Sequence, residues 1–384
     1  MTIRGKWIAL PDGKILNDGF IEIHHGVIQK VTKLSPGGEV DEHDGLVIPG
    51  LINSHTHLEF SDLEQPLGEP GTGFVEWVGQ VMNHRRTREA TAASGAILRG
   101  LKESERNGVC AIGEISTFDW SESEHGVQHV TKFRELIGFR LEQADEIQEI
   151  ASQHVGDSSS DFRTQNGLSP HAPYSINRES LGDAIKLSSE HQVPLAMHLA
   201  ETMEELELLA NHTGPFFELL NRLGLWHHDN FPLRSSPLDF LQRLSKAFRA
   251  LVVHGNYLSR HELQWIGDHR DVLKLVYCPR THEFFGHERY PLKTVMELKI
   301  PLALGTDSRA SNPDLSIWNE MNFVHENNQQ IDPFEILKMG TVHGAQALGI
   351  ERNFGTIEPG KKPAFYLCPP EADNDFVKAL VEGR

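Results

Sequence analysis

The chain has 384 residues, 39% hydrophobic and 23% charged, which is enough apolar content for a real core and excludes wholesale disorder. Lys and Arg number 36 against 54 Asp and Glu, and the net charge of −18 argues against nucleic acid or an anionic membrane as the main partner. No apolar run approaches the roughly 20 residues of a bilayer span, the opening residues lack a secretory leader, and the scattered Cys110, Cys278 and Cys368 form neither a disulfide framework nor a CxxC zinc pair. The expected setting is a reducing cytoplasm.

In chain order, residues 1–47 read as short strands and turns: Trp7–Leu10, a Pro-Asp-Gly-Lys turn, then Phe20–Ile23 and Val27–Val31 flanking His24-His25-Gly26. The C-terminal stretch repeats the style with Gly355–Ile357, a Pro-Gly-Lys-Lys turn and Ala364–Leu367. The expectation is a small β-sandwich composed of 1–47 and 354–384, bracketing a 48–353 body that brings its own ends together. That body alternates apolar runs with helical patterns, the signature of parallel βα units. Eight candidate strands are Leu46–Asn53, Val109–Ile115, Glu135–Phe139, Gly167–Pro170, Val193–His198, Ala250–His254, Val272–Tyr277 and Pro301–Gly305. Helical stretches include Ser94–Asn107, Arg178–His191 and Ser259–Arg270, and Thr202 with Glu205 forms a capping-box pattern that starts the helix after the fifth strand. Residues 211–248, broken by prolines, form an insertion, and Asp157–Ser160 is a polar loop. The predicted fold class is therefore α/β, a (β/α)8 barrel with a terminal β-sandwich.

The 22 histidines make roughly one His-x-His pair expected by chance, so position has to decide. His55 and His57 follow the apolar run Leu46–Ile52, His171 follows Leu168-Ser169-Pro170, His198 and His254 end apolar runs, and Asp307 follows Leu302–Thr306. In a parallel barrel all strands open at their carboxyl ends onto one face. Residues i and i+2 of a strand point the same way, so both imidazoles of His55-Thr56-His57 can reach one point. A further imidazole and a carboxylate complete a nitrogen and oxygen set suited to Zn²⁺ or Fe²⁺.

Pro49-Gly50-Leu51-Ile52-Asn53-Ser54-His55-Thr56-His57-Leu58 resembles the opening motif of the metal-dependent amidohydrolase superfamily. His171-Ala172-Pro173-Tyr174, His198-Leu199-Ala200-Glu201-Thr202, His254-Gly255-Asn256 and Gly305-Thr306-Asp307-Ser308 resemble its later motifs, in order. The likeness is to the branch of cytosine, guanine and S-adenosylhomocysteine/methylthioadenosine deaminases and triazine chlorohydrolases. It implies one divalent metal, zinc or else iron, on His55, His57, His198 and Asp307, since no lysine lies in 166–171 to bridge a second ion. It also implies catalytic roles for Glu201 as proton shuttle, for His254 beside the attacking water and for Asp307. The chemistry implied is hydrolytic deamination of an amino-substituted heterocycle, with an adenine-type nucleoside preferred in the manner of aminodeoxyfutalosine deaminases. Family members are often dimers, so a homodimer is the assembly to test.

Each residue has a plainer reading in isolation: Glu201 as a solvated carboxylate before a helix, Asp307 as a turn residue, His254 as a core imidazole, His171 as part of a proline turn. Convergence at strand ends favours the site. For substrate contacts, Glu59 should line the pocket mouth, Glu76 is a candidate ribose acceptor, Trp77 a stacking wall and His171 a further contact. Arg280 and His282 stand where many relatives have a Pro-x-Ser-Asn type sequence, which points to an anionic or hydroxylated substrate or, for Arg280, to a structural salt bridge. Hydrolysis of an s-triazine or a free base, and a non-catalytic scaffold, are the alternatives; Glu201 favours a leaving group that needs a proton, and the full ligand set favours catalysis.

Overall fold

A computed structural model describes residues 1–88, 90–120, 127–157, 163–368 and 375–383. Strands β1 (Thr2–Ala9), β2 (Ile15–His24), β3 (Val27–Thr32), β4 (Asp41–Pro49) and β13 (Phe365–Leu367) form a mixed five-stranded sheet in the order β13-β4-β1-β2-β3. This one sheet, drawn from both ends of the chain, stands where the terminal β-sandwich was expected. The β2–β3 turn sits on His25 and Gly26, both at positive φ (51° and 70°), the backbone that a two-residue hairpin requires. Ile8, Ile21, Ile23, Ile28, Val47 and Ile357 make this sheet's own apolar core.

The remaining strands are β5 (Leu51–Thr56), β6 (Val109–Ser116), β7 (His129–Leu136), β8 (Thr164–Pro170), β9 (Leu195–Leu199), β10 (Ala250–His254), β11 (Leu273–Tyr277) and β12 (Leu302–Leu304). They pair in parallel in sequential order, as in a (β/α)8 barrel. The first and last strands meet without a regular ladder. The His55 carbonyl accepts from the N–H groups of Thr306 and Asp307, both at 3.1 Å, and the Asn53 amide exchanges hydrogen bonds with Thr306 at 2.8 and 3.1 Å. The closure thus joins the strand that carries His55 and His57 directly to the loop that carries Asp307. Among the described residues, no helix is long and apolar enough to cross a membrane.

Two strand expectations are corrected. Leu46–Asn53 is not one strand: β4 ends at Pro49 in the terminal sheet and β5 begins at Leu51 in the barrel. Gly50 marks the crossing, where a Cβ would lie 2.8 Å from the Cys110 sulfur. The third barrel strand runs over His129–Leu136, ahead of the expected Glu135–Phe139. Its inward residues include Thr131 and Glu135, so no apolar run announces it. The capping box is present with a shift: Thr202 Oγ1 accepts the Glu205 N–H at 3.1 Å, while the Glu205 carboxylate reaches back to Ala200 and Glu201. The 211–248 region folds into helices Pro215–Arg222 and Pro237–Leu244. Of the polar loop Asp157–Ser160, residues Ser158–Ser160 lie outside the described residues.

Candidate metal centre and active site

The floor of the site is built by strand ends. His55 and His57 project from the end of β5, and His198 comes from β9. One ring nitrogen from each of these three buried histidines lies within 4.8 Å of the other two. His57 Nε2 and His198 Nε2 are 3.3 Å apart. The His198 Nδ1–H donates to the His171 carbonyl at 2.9 Å, so its Nε2 lone pair faces the cluster. Both ring nitrogens of His55 and the Nδ1 of His57 are buried without any hydrogen-bond partner. Such orphaned buried groups are costly unless something else satisfies them.

Asp307 completes the ring, with Oδ1 at 3.7 Å from His55 Nε2 and 3.8 Å from His57 Nε2 and Oδ2 accepting from Ser311 Oγ at 2.8 Å. Burial opposes its charge, but the facing rings of His55, His254 and His198 win, and the carboxyl is held at about 2. Burial, reinforced by neighbouring histidines, holds His57 and His198 well below the ordinary imidazole range. Neutral rings with bare lone pairs and one ionised carboxylate are the ligand forms that a divalent ion of the zinc or iron type takes. The residues present therefore fit such an ion.

Beside this cluster, His254 at the end of β10 places Nε2 3.3 Å from Oε1 of Glu201. Desolvation, together with the charges of Asp307 and Glu205, raises the Glu201 carboxyl well above the usual carboxylate range. Glu201 is held from behind: the Glu205 carboxylate accepts its N–H at 3.1 Å and that of Ala200 at 2.8 Å, and Asn256 donates to its carbonyl at 2.9 Å. Ala200, His254 and Asp307 all adopt left-handed backbone conformations, with φ of 53°, 67° and 55°. Non-glycine residues rarely sit there, and such strain clusters where a side chain must be aimed.

A cavity of about 320 Å³ opens above these groups. His57, His171, His198, Glu201, His254 and Asp307 face it on one side, and Phe60, Phe74, Trp77, Tyr174 and Phe216 form aromatic walls on the other. Trp77 is thus a wall residue, fixed by its indole N–H donating to the Ala310 carbonyl at 2.9 Å. His171 lines the cavity with Nδ1 2.6 Å from Ser175 Oγ and Nε2 3.6 Å from Glu135 Oε1.

Four expected substrate contacts lie elsewhere. Glu59 is buried outside the cavity lining, paired with Arg85 at 2.9 Å and Arg88 at 2.7 Å, because a carboxylate at that depth requires cations. Glu76 is exposed and does not line the cavity. Arg280 lies outside the cavity lining, and its guanidinium is held by Asp314 at 2.5 and 2.9 Å and by Glu320 at 2.7 Å, a salt bridge within the chain. His282 packs among Tyr277, His287 and Tyr290, outside the cavity lining.

The cavity also has residues that sequence reasoning did not single out. Arg85 reaches its wall while bridging Glu59 and Glu135 at 2.9 and 3.2 Å. In sequence, His84-Arg85-Arg86 looks like the ordinary basic end of a helix, and nothing local marks it. Phe216 comes from the insertion, and its ring lies 4.1 Å from that of Tyr174.

Comparison with known proteins agrees with this architecture. The chain is 28% identical to the 5-methylthioadenosine/S-adenosylhomocysteine deaminase of Pyrococcus furiosus, over 94% of this chain and 84% of that protein. It is 26% identical to the aminodeoxyfutalosine deaminase of Nitratiruptor sp., over 87% of this chain and 82% of that one. The solved structure of Helicobacter pylori aminofutalosine deaminase with methylthio-coformycin superposes with a TM-score of 0.84 at 22% identity, covering 100% of this chain and 96% of the other. Residues 46–383 match the profile of the Amidohydrolase family, nearly the whole chain, and the protein belongs to that family.

Proposed function

We propose that this amidohydrolase is a hydrolytic deaminase of adenine-type nucleosides, with aminodeoxyfutalosine the preferred substrate. One observation carries the reading: Glu201, buried and 3.3 Å from His254, stands in the same cavity as Asp307 and the three clustered histidines. His55, His57, His198 and Asp307 would hold one divalent ion, zinc by the donor set, with iron the alternative. Such an ion supplies Lewis acidity, which lowers the pKa of a water from 15.7 towards roughly 7.

The chain's own groups supply the rest. Deamination replaces a ring C–NH₂ with C=O: water adds to the ring carbon, the adjacent ring nitrogen takes a proton, and ammonia leaves. Glu201 carries the proton that this addition needs, because burial raises its carboxyl well above the usual carboxylate range. Having given it up, it accepts one from the incoming water, passes that one to the departing amine, and takes back the hydroxyl proton released as the C=O forms. His254, fixed against Glu201, orients the water towards the ring carbon. Trp77, Phe74 and Phe216 flank the planar ring and exclude bulk water. Deaminase activity on adenine nucleosides in relatives of 28% and 26% identity supports the same choice of leaving group and ring.

The test is ammonia release by the metal-replete chain across a panel of aminodeoxyfutalosine, 5′-methylthioadenosine, adenosine, adenine, guanine and cytosine. Turnover of the nucleosides is expected, fastest with aminodeoxyfutalosine. Activity confined to the free bases would overturn the reading.

A further inference from the structure

Away from the catalytic cavity, the insertion forms a second concavity of about 570 Å³ against the outer helices of the barrel. Arg178, Arg243 and Lys246 line it, and among the described residues none of the three has a carboxylate within ion-pair distance. That is unusual in a chain with 54 acidic and 36 basic side chains. The acidic residue in the lining, Asp239, is turned to its own helix start, accepting from the N–H and hydroxyl of Ser236 at 2.7 and 3.0 Å.

The Arg178 and Arg243 cations are near enough to repel each other. Arg243 Nη2 donates to the Arg178 carbonyl at 2.7 Å, and burial and the nearby Arg178 charge both disfavour the Arg243 cation. An anion between them would relieve that repulsion. Arg178 is also the first residue of the 14-residue helix Arg178–His191, whose positive dipole end acts in the same sense. Asn230, a lining residue 4% exposed, is fixed by its Nδ2 donating to the Phe139 carbonyl at 2.7 Å.

We propose that this groove binds a phosphate group, free or as the monoester of a small metabolite. The chemistry of the lining selects that anion. Guanidiniums and the Lys246 ammonium donate to phosphate oxygens, with the planar fork of arginine suited to two of them at once. The groove also adjoins the catalytic cavity through Asn230, since Phe139 is one of that cavity's walls.

Isothermal titration calorimetry on the zinc-loaded full chain tests this, with inorganic phosphate in one arm and ribose 5-phosphate in the other, at ionic strength fixed with chloride. Saturable binding is expected in at least one arm, and the tighter arm identifies the source. The double variant R178Q/R243Q should weaken it about tenfold or more, the scale of a lost charge-assisted hydrogen bond. Lys246→Gln, an exposed change that leaves packing untouched, should weaken it as well. His57→Ala, which removes a metal ligand, should bind phosphate as the unaltered chain does. Absence of saturable binding in both arms overturns the proposal. So does binding that survives R178Q/R243Q and K246Q unchanged, or binding that disappears with His57→Ala, which places the anion at the metal centre.

Discussion

The cluster around His55 and the cluster around Arg280 both lie beyond the carboxyl ends of barrel strands, but they are built on opposite terms. Arg280 makes hydrogen bonds to Glu320 and Asp314 with its guanidinium and to Glu320 with its backbone N–H, and Asn312 donates to the same Glu320 at 2.7 Å. Its polar demands are met within the chain, so it ties the segment after β11 to helix Ile317–Asn327 and asks nothing of a ligand. Around His55, buried ring nitrogens are left without partners and three backbone positions are strained. A saturated polar cluster braces the fold, whereas an unsaturated one is completed from outside. The same logic sets the phosphate groove apart from the paired Arg85 and Arg88.

Removing one member of each cluster should give different kinds of failure. The largest effect is expected from His57→Ala, which should abolish bound metal and ammonia release together while the far-ultraviolet spectrum is retained; a variant that keeps its metal would break the ligand assignment. Arg280→Ala should lower stability by about 3–5 kcal/mol in denaturant melts, because it strands the buried Glu320 carboxylate. Below the unfolding transition it should keep its metal content, and loss of metal without loss of stability would blur the contrast. Glu201→Gln should retain the metal and reduce kcat by roughly 10²-fold or more. Thr202→Ala removes a helix cap and should lower stability by about 1 kcal/mol, leaving metal content unchanged.

The site was legible where its residues end apolar strands. His55, His57, His198, His254 and Asp307 each follow or end an apolar run that reads as a buried strand, and Glu201 lies three positions beyond one of them. Residues whose position depends on long-range packing were not legible. Glu59 follows the first motif directly, yet its strand end turns it into the Arg85 and Arg88 pairs rather than towards the cavity. Arg85 and Phe216 reach the cavity from a helix and an insertion that carry no local sign of it. Strand β7 was displaced because its buried side chains include Thr131 and Glu135, which interrupt the apolar run on which the strand reading relies.

By itself, the order of apolar runs and histidines determined a parallel barrel with a nitrogen-rich centre at one face. Backbone periodicity and strand direction are local properties that sequence carries directly. Tertiary structure decided which polar groups find partners. The Asn53–Thr306 closure brings Asp307 beside His55 across some 250 residues of chain, and the ion pairs withdraw Arg280 and Glu59 from the cavity. Whether a buried charge is satisfied depends on neighbours distant in sequence, and that is why function and scaffold separate only in three dimensions.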